Sequence, residues 1–404
     1  MDNESKTEPL PLAGIRVLDL GTFIAAPYAA TILGEFGAEV IKIEKPGAGD
    51  PLRQFGTPSA PGATLCWLSE ARNKHSITLN LAHKKGAALL RQLVRSADVV
   101  CENFRPGTLE GWGVGFEALL QENPRLIMLR VSGYGQDGPL RDKPGFARIA
   151  HAFGGLTHLT GIPDGPPLTP GSTSLADYIS GLYGAIGVLI ALQARDKVGG
   201  QYIDLALYES IFRMLDDIAP TYARTGAVRG RLGVGTINAC PHGHFICGDG
   251  IWIALACSSD KMFARFARMI GKPGLAAVDR YAATRQRLDD AAYINGVVEA
   301  WLSGLSAREA VAACDRAGVP CAEIQTIADI FASEQFAARK NLVEMMDADQ
   351  QSCVVPNVIP RLSLTPGSVR HLGPALGDAN STVFHDLLGL SGTEIAEMRR
   401  EGVI

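Results

Sequence analysis

One carboxylate, Asp177, stands in the segment LTPGSTSLADYISGLYGAIGVLIAL (168–192), between a Pro/Gly/Ser/Thr turn and a long apolar run. Every other side chain from Leu175 to Leu192 is apolar, small or an uncharged hydroxyl-bearer. Two roles suit such an acid. Aspartate is a favoured helix N-cap, and its charge is stabilised near a helix N-terminus. A carboxylate held in a partly dehydrated pocket is also a nucleophile that can carry a covalent acyl group. Residue type and spacing alone leave both roles open.

The basic residues form a second group. Lys42 and Lys45 lie at the end of one strand-like run, Arg72 and Lys74 flank the start of another, Arg105 follows ENF, and Arg130 ends RLIML. Open α/β sheets bind ligands at such strand ends, and cationic side chains pair well with phosphate oxygens. A ligand with several phosphates fits that arrangement, although any one of these cations could equally be solvated surface charge. CPHGHFIC (240–247) is the one cluster with zinc-compatible residue types. Its spacing matches no common site, so a tight loop is expected and no metal. There is no dinucleotide fingerprint, no phosphate-binding P-loop and no Gly-x-Ser-x-Gly elbow.

The elements that must position these groups alternate. GIRVLDLG reads as a buried strand, PYAATILGEFG as a short helix closing on Gly37, and AEVIKIEKPGAGD as a second strand and turn. That is a β-α-β unit of a parallel sheet. HSITLNL, KGAALLRQLVRSA, DVVCENF and RLIMLRVSGYG continue it, so the first 150 residues predict an open Rossmann-like α/β sheet. Residues 174–225 read as mostly helical, with a strand-like interruption at GQYIDLAL. Near Gly226 the texture changes to glycine-rich turns, short β runs and amphipathic helices, which predicts a smaller α+β domain to about residue 335.

Composition limits the function classes. The chain has 404 residues, 38 Lys and Arg against 42 Asp and Glu, and 47% hydrophobic residues. A net charge of −4 argues against a general nucleic-acid binder. The eight cysteines form no CxxC pair, and the acidic N-terminus fits neither a secretory signal nor a transit peptide. The longest apolar runs look too short to span a bilayer. The expectation is a cytoplasmic protein with reduced thiols and no membrane partner.

Taken in order, PLAGIRVLDLGTFIAAPYAATILGEFGAEVIKIEKPGAGDPLR, SEARNKHSITLNL, ENFRPGTLEGWG, PRLIMLRVSGYGQDGP and ADYISGLYGAIGVLIAL resemble the class III CoA-transferases, the CaiB/BaiF type. The resemblance covers nearly the whole chain. It implies an α/β fold: a large Rossmann-like CoA-binding domain from residues 1–225 and 336–404, a small domain from 226–335, and an interlocked homodimer. It implies a CoA thioester as substrate and no permanently bound cofactor. Asp177 stands where the family has its nucleophile, which forms an acyl-aspartyl anhydride and then an aspartyl-CoA thioester. Tyr134 matches an active-site tyrosine. Lys45, Arg72, Lys74, Asn103, Phe104 and Arg105 match CoA-binding positions. Ile24 stands where formyl-CoA transferases have an assisting glutamine, which leaves the oxyanion donor unassigned, with backbone amides near Ala25 and Ala26 or around Gly243 as candidates.

Two other readings share the fold. The α-methylacyl-CoA racemases pair the same aspartate with a histidine, but Phe146 stands in that place and His151 lies five residues further on. A catalytically silent CoA-binding protein is the other. The segments around Ile24, Arg148 and Asp177 look most like the branch that uses succinyl-CoA as donor and citramalate, malate or itaconate as acceptor. A dicarboxylate keeps one free carboxylate, for which Arg148 is the leading partner, followed by Arg53, His151, His242 and His244.

Overall fold

A computed structural model describes residues 10–59, 62–171 and 173–404. The N-terminal acids and Ser172, in the turn before Asp177, lie outside the described residues. The chain forms two units: one runs to Leu156 and resumes over Thr169–Arg224 and Ala338–Ile404, and the other comprises Thr157–Leu168 and Thr225–Ala337. Residues 157–168, inside the first large-domain segment of the sequence reading, thus group with the smaller unit.

The first unit is built on six strands: β1 (Arg16–Asp19), β2 (Glu39–Glu44), β3 (Lys74–Thr78), β4 (Val99–Glu102), β5 (Ile127–Ser132) and β6 (Gln201–Ala206). All pair in parallel in the order β3-β2-β1-β4-β5-β6. The run GQYIDLAL, read as an interruption among helices, is therefore the sixth strand, and the sheet extends well beyond residue 150. Strands β1 to β5 are largely buried runs because both faces are covered, whereas β6 is half-exposed at the edge. Alternate residues feed two cores: Val17, Val40, Val99 and Ile127 on one face, Leu18, Ile41, Val100 and Met128 on the other. Val383, Phe384, Ile395, Val403 and Ile404 pack into the second of these cores.

Three helices bear on the chemistry: α1 (Ala25–Glu35), α2 (Ala147–Phe153) and α3 (Leu175–Val198). The expected stop after α1 holds, with Gly37 at φ +107°. Small residues let α3 lie close on α1 and the sheet. A Cβ on Gly181 would stand 2.9 Å from the Ala25 carbonyl oxygen, and one on Gly184 would stand 2.7 Å from Leu129 Cδ2. By length and composition α3 could cross a membrane, which corrects the expectation that no run is long enough. One face of it packs into the core, burying Ala176, Ser180, Gly181, Gly184, Ala185, Val188 and Ala191.

The second unit carries an antiparallel sheet of β7 (His242–Ile246), β8 (Trp252–Ala256) and β9 (Cys321–Glu323), in the order β7-β8-β9. Its core gathers Phe245, Ile253, Phe263, Phe266, Val298 and Cys314. The CPHGHFIC segment, expected as a tight loop, is largely strand β7.

Candidate active site

The strand order reverses between β1 and β4, and open α/β sheets place ligands outside the carboxyl ends of their strands at such a point. A cavity of about 260 Å³ lies there. Its wall combines Thr22, Phe23, Ile24 and Ala25 after β1, Asn103, Phe104, Arg105 and Pro106 after β4, Ser132 and Gly133 at β5, Leu207 after β6, the loop Lys143–Phe146, and Asp177. A second cavity of about 540 Å³ shares Thr22 and Phe104 with the first and adds Lys45, Asp50, Asn80 and Trp112. Two adjoining chambers therefore open over the switch point.

Asp177 sits in the first turn of α3, three residues after the N-cap Ser174. The cap reading of the sequence is thereby corrected: the Asp177 amide donates to the Ser174 carbonyl at 2.9 Å. Its carboxylate accepts no hydrogen bond among the described residues. Burial alone pushes its pKa up to about 7, because an anion loses hydration there and gains no cation in return. A carboxylate kept bare beside an open cavity is suited to attack an electrophile.

The loop after β1 is held from below. Asp19 of β1 pairs with Lys42 of β2 in register, and Lys74 Nζ meets Asp19 at 2.8 Å while Lys42 Nζ meets Asp50 at 2.9 Å. Lys42 also donates to the Gly21 carbonyl. Asp50 accepts from the Phe23 amide at 3.0 Å and the Leu52 amide at 2.9 Å. Burial disfavours the Asp50 anion, yet Lys42 and these amides hold its pKa below the ordinary carboxylate value. Phe23 is thus kept at φ +57°, a left-handed conformation uncommon for a bulky residue. That turn starts α1, whose first amides have no intrahelical acceptor and face the cavity end of the helix.

The loop after β4 is tied to the same place. Asn103 closes a two-way amide pair with Thr22: Oδ1 accepts from the Thr22 amide and Nδ2 donates to the Thr22 carbonyl, each at 2.8 Å. Glu102 accepts from the Phe104 amide at 2.7 Å and pairs with Arg130 at 2.9 Å. Burial, only partly offset by Arg130, pushes the Glu102 pKa up to about 7.

The structure sorts the residues singled out from sequence. Asp177, Ile24, Asn103, Phe104 and Arg105 come together around the first cavity, and Lys45 lines the second. Ile24 contributes apolar wall, and Asn103 is committed to Thr22. Three cations are spent inside the fold and line neither cavity. Arg72 pairs with Glu35 at 2.5 Å, Lys74 with Asp19, and Arg53 with both oxygens of Glu44 while stacking 3.8 Å over Trp67. These positions lend no support to phosphate binding by Arg72 and Lys74 or to carboxylate binding by Arg53, since a buried ion pair that turned to a ligand would leave its partner uncompensated. Tyr134 is half-buried against Phe153 and Tyr208, with ring centroids 5.2 and 6.2 Å away, and is absent from the cavity wall. Arg148 is exposed on α2, forms no ion pair among the described residues and does not line the cavity. His151 is buried, bonded to backbone and absent from the cavity wall. His242 and His244 line a hollow of the second unit with Asp315 and Cys321. Among the described residues no three His, Cys, Asp or Glu side chains gather to hold a metal ion.

Lys143 was not apparent from sequence. It lies in an irregular loop, RDKPGF, where no periodicity marks a binding residue, yet it lines the Asp177 cavity beside Arg105. The loop reaches the site because Gly133 and Gly145 touch backbone to backbone: a Cβ on Gly133 would fall 2.8 Å from Gly145 Cα. Gly133→Ala therefore pushes Lys143 and Phe146 outward. A fall in kcat/KM of about tenfold or more is expected from steady-state assays, because small misplacements cost rate steeply; unchanged kinetics would contradict this packing argument.

Phe146 forms the remaining wall. It is 66% exposed and meets the Phe23 ring edge-on at a centroid distance of 6.3 Å. Phenylalanine exchanges no proton, so Phe146 cannot be the second base that the racemase reading requires.

The model of CoA-transferase family III matches residues 12–380. The chain belongs to CoA-transferase family III. It is 53% identical to the succinyl-CoA–L-malate CoA-transferase beta subunit of Chloroflexus aurantiacus, over 99% of this chain and 100% of that one. It is 42% identical to the succinyl-CoA–D-citramalate CoA-transferase of the same organism, again over 99% and 100% of the two chains. A crystal structure of a CaiB/BaiF family protein from Brucella suis superposes with a TM-score of 0.82 at 31% identity, covering 94% of this chain and 100% of that one. Family III enzymes act on CoA thioesters, so CoA enters here as a substrate. The resemblance drawn from the sequence motifs and the assignment as an enzyme both hold.

Proposed function

We propose that this family III transferase moves CoA from succinyl-CoA to a small dicarboxylic acid of the malate, citramalate or itaconate class, with Asp177 as the nucleophile. The observation that carries the reading is the Asp177 carboxylate, which accepts no hydrogen bond among the described residues, has its pKa raised to about 7 by burial, and lines a cavity that shares Thr22 and Phe104 with a second one. The named relatives, which act on succinyl-CoA with L-malate or D-citramalate, support the substrate class.

Asp177 attacks the succinyl thioester carbonyl. The C–S bond breaks, leaving a succinyl-aspartyl anhydride and CoA thiolate. The thiolate attacks the aspartyl carbonyl, succinate leaves, and an aspartyl-CoA thioester remains. The acceptor carboxylate displaces CoA from that thioester, and the thiolate then attacks the acceptor's acyl carbon, which restores Asp177. Each tetrahedral oxyanion needs donors placed in advance, and the first amides of α1 at Ala25 and Ala26 supply them. The nucleotide end of CoA lies in the larger chamber near Lys45, and its pantetheine arm passes Thr22 and Phe104. Arg105 and Lys143 receive anionic groups of the substrates.

The enzyme works in the cytoplasm, in keeping with eight free cysteines. It pairs with a second copy in the interlocked manner of the family, a reading supported by the exposed apolar residues Leu182, Ile186, Leu189 and Ile190 along α3. The silent CoA-binding alternative has no observation in its favour.

Incubation with succinyl-CoA followed by hydroxylamine converts Asp177 to a hydroxamate detectable by peptide mass spectrometry. Turnover with no label at Asp177 would defeat the mechanism. A panel of four- to six-carbon acids, read by chromatography of the CoA esters, identifies the acceptor. Lys143→Ala is expected to raise KM for dicarboxylates about tenfold, and more than Arg148→Ala does; the reverse order would restore Arg148 as the carboxylate partner.

A further inference from the structure

His151 sits on α2 and is 1% exposed, between the sheet-facing residues Ala147 and Ala150 and the start of α3. Its Nε2 accepts a hydrogen bond at 3.0 Å from the amide of Ala176, the residue immediately before Asp177. That amide is one of the first-turn donors of α3 that no intrahelical carbonyl can satisfy. The N-cap Ser174 makes no side-chain bond to the helix. The cap is therefore supplied from another helix. An amide can only donate, so Nε2 is the bare nitrogen of a neutral ring and the proton is on Nδ1. Burial and the nearby Arg148 cation both lower the His151 pKa, which keeps the ring in that form.

The consequence concerns Asp177. Its carboxylate accepts no hydrogen bond among the described residues, so no side chain among them aims it. Its direction is set by the backbone of the first turn of α3, and His151 anchors that turn one residue away. We infer that His151 is a positioning residue that latches the first turn of α3 and thereby aims Asp177 at the thioester carbon. This role rests on Asp177 being the acylated residue.

The test measures single-turnover acylation of Asp177 by succinyl-CoA, trapped as the hydroxamate, beside KM for succinyl-CoA and the melting temperature. His151→Gln keeps an acceptor at the reach of Nε2, whereas His151→Asn is one bond too short and His151→Leu has none. The Leu and Asn variants are expected to acylate about 10- to 100-fold more slowly, with KM within about twofold, and the Gln variant to recover to within about threefold of wild type. The Gln and Asn pair gives the answer even where the Leu variant fails to fold. Acylation at the wild-type rate in the Asn variant, or a Gln variant no faster than Asn, overturns the inference while Asp177 stands as nucleophile. A wild-type enzyme that turns over without labelling at Asp177 overturns both.

Discussion

Asp177→Asn is expected to lose transferase activity by about four orders of magnitude or more, the scale seen when a covalent nucleophile is removed, with KM for succinyl-CoA changed only a few-fold. The amide keeps the shape and removes the nucleophilic oxygen. The same change should make the protein more stable. Burial raises the folded-state pKa of Asp177 from 3.8 to about 7, so the folded protein holds that proton more tightly than the unfolded chain does. Wild-type stability therefore falls as pH rises from about 4 to 7, and the cost persists above 7. At about 1.4 kcal/mol per unit, the cost reaches at most about 4 kcal/mol. Thermal melts of the Asn variant should exceed wild type at pH 8 and converge with it near pH 4. In the wild type, kcat/KM should climb through about pH 7 as the carboxylate forms. A flat profile between about pH 5.5 and 8.5, or a variant that melts lower at every pH, would contradict the buried-anion reading.

Lys42→Met should cost about 3–5 kcal/mol of stability, the typical penalty for removing one partner of a buried ion pair. Lys42 is fully enclosed between Asp19 and Asp50, at 3.5 and 2.9 Å, and holds the Gly21 carbonyl. Without it, Asp50 loses its counter-charge and the Phe23 amide loses a well-placed acceptor, so the turn that starts α1 slackens and activity falls with stability. Urea denaturation reads the first effect and steady-state kinetics the second. Lys45→Met is the matched control: three residues on and exposed, it should stay within about 0.5 kcal/mol of wild type. A Lys42 variant within about 1 kcal/mol of wild type would show that the network does not hold the loop.

The sequence by itself determined the parallel sheet from β1 to β5, because strands covered on both faces must read as apolar runs and their crossovers as short helices. It also singled out Asp177, a lone acid at the head of an apolar segment, with cap and nucleophile both open until the ordered motifs gave the family. The run 201–206 read as strand-like but was not assigned to the sheet, because it alternates polar and apolar residues on a half-exposed edge. What only the tertiary structure decided is the fate of each charge. Lys45, Arg72 and Lys74 look alike in sequence, yet one lines a chamber and two are locked to Glu35 and Asp19. Charge type is local, but its availability depends on which carboxylate the fold brings within about 3 Å, and those partners lie tens of residues away. The same holds for Lys143, brought in by a glycine–glycine contact, and for His151, turned from a supposed substrate contact into a cap by the one amide that faces it.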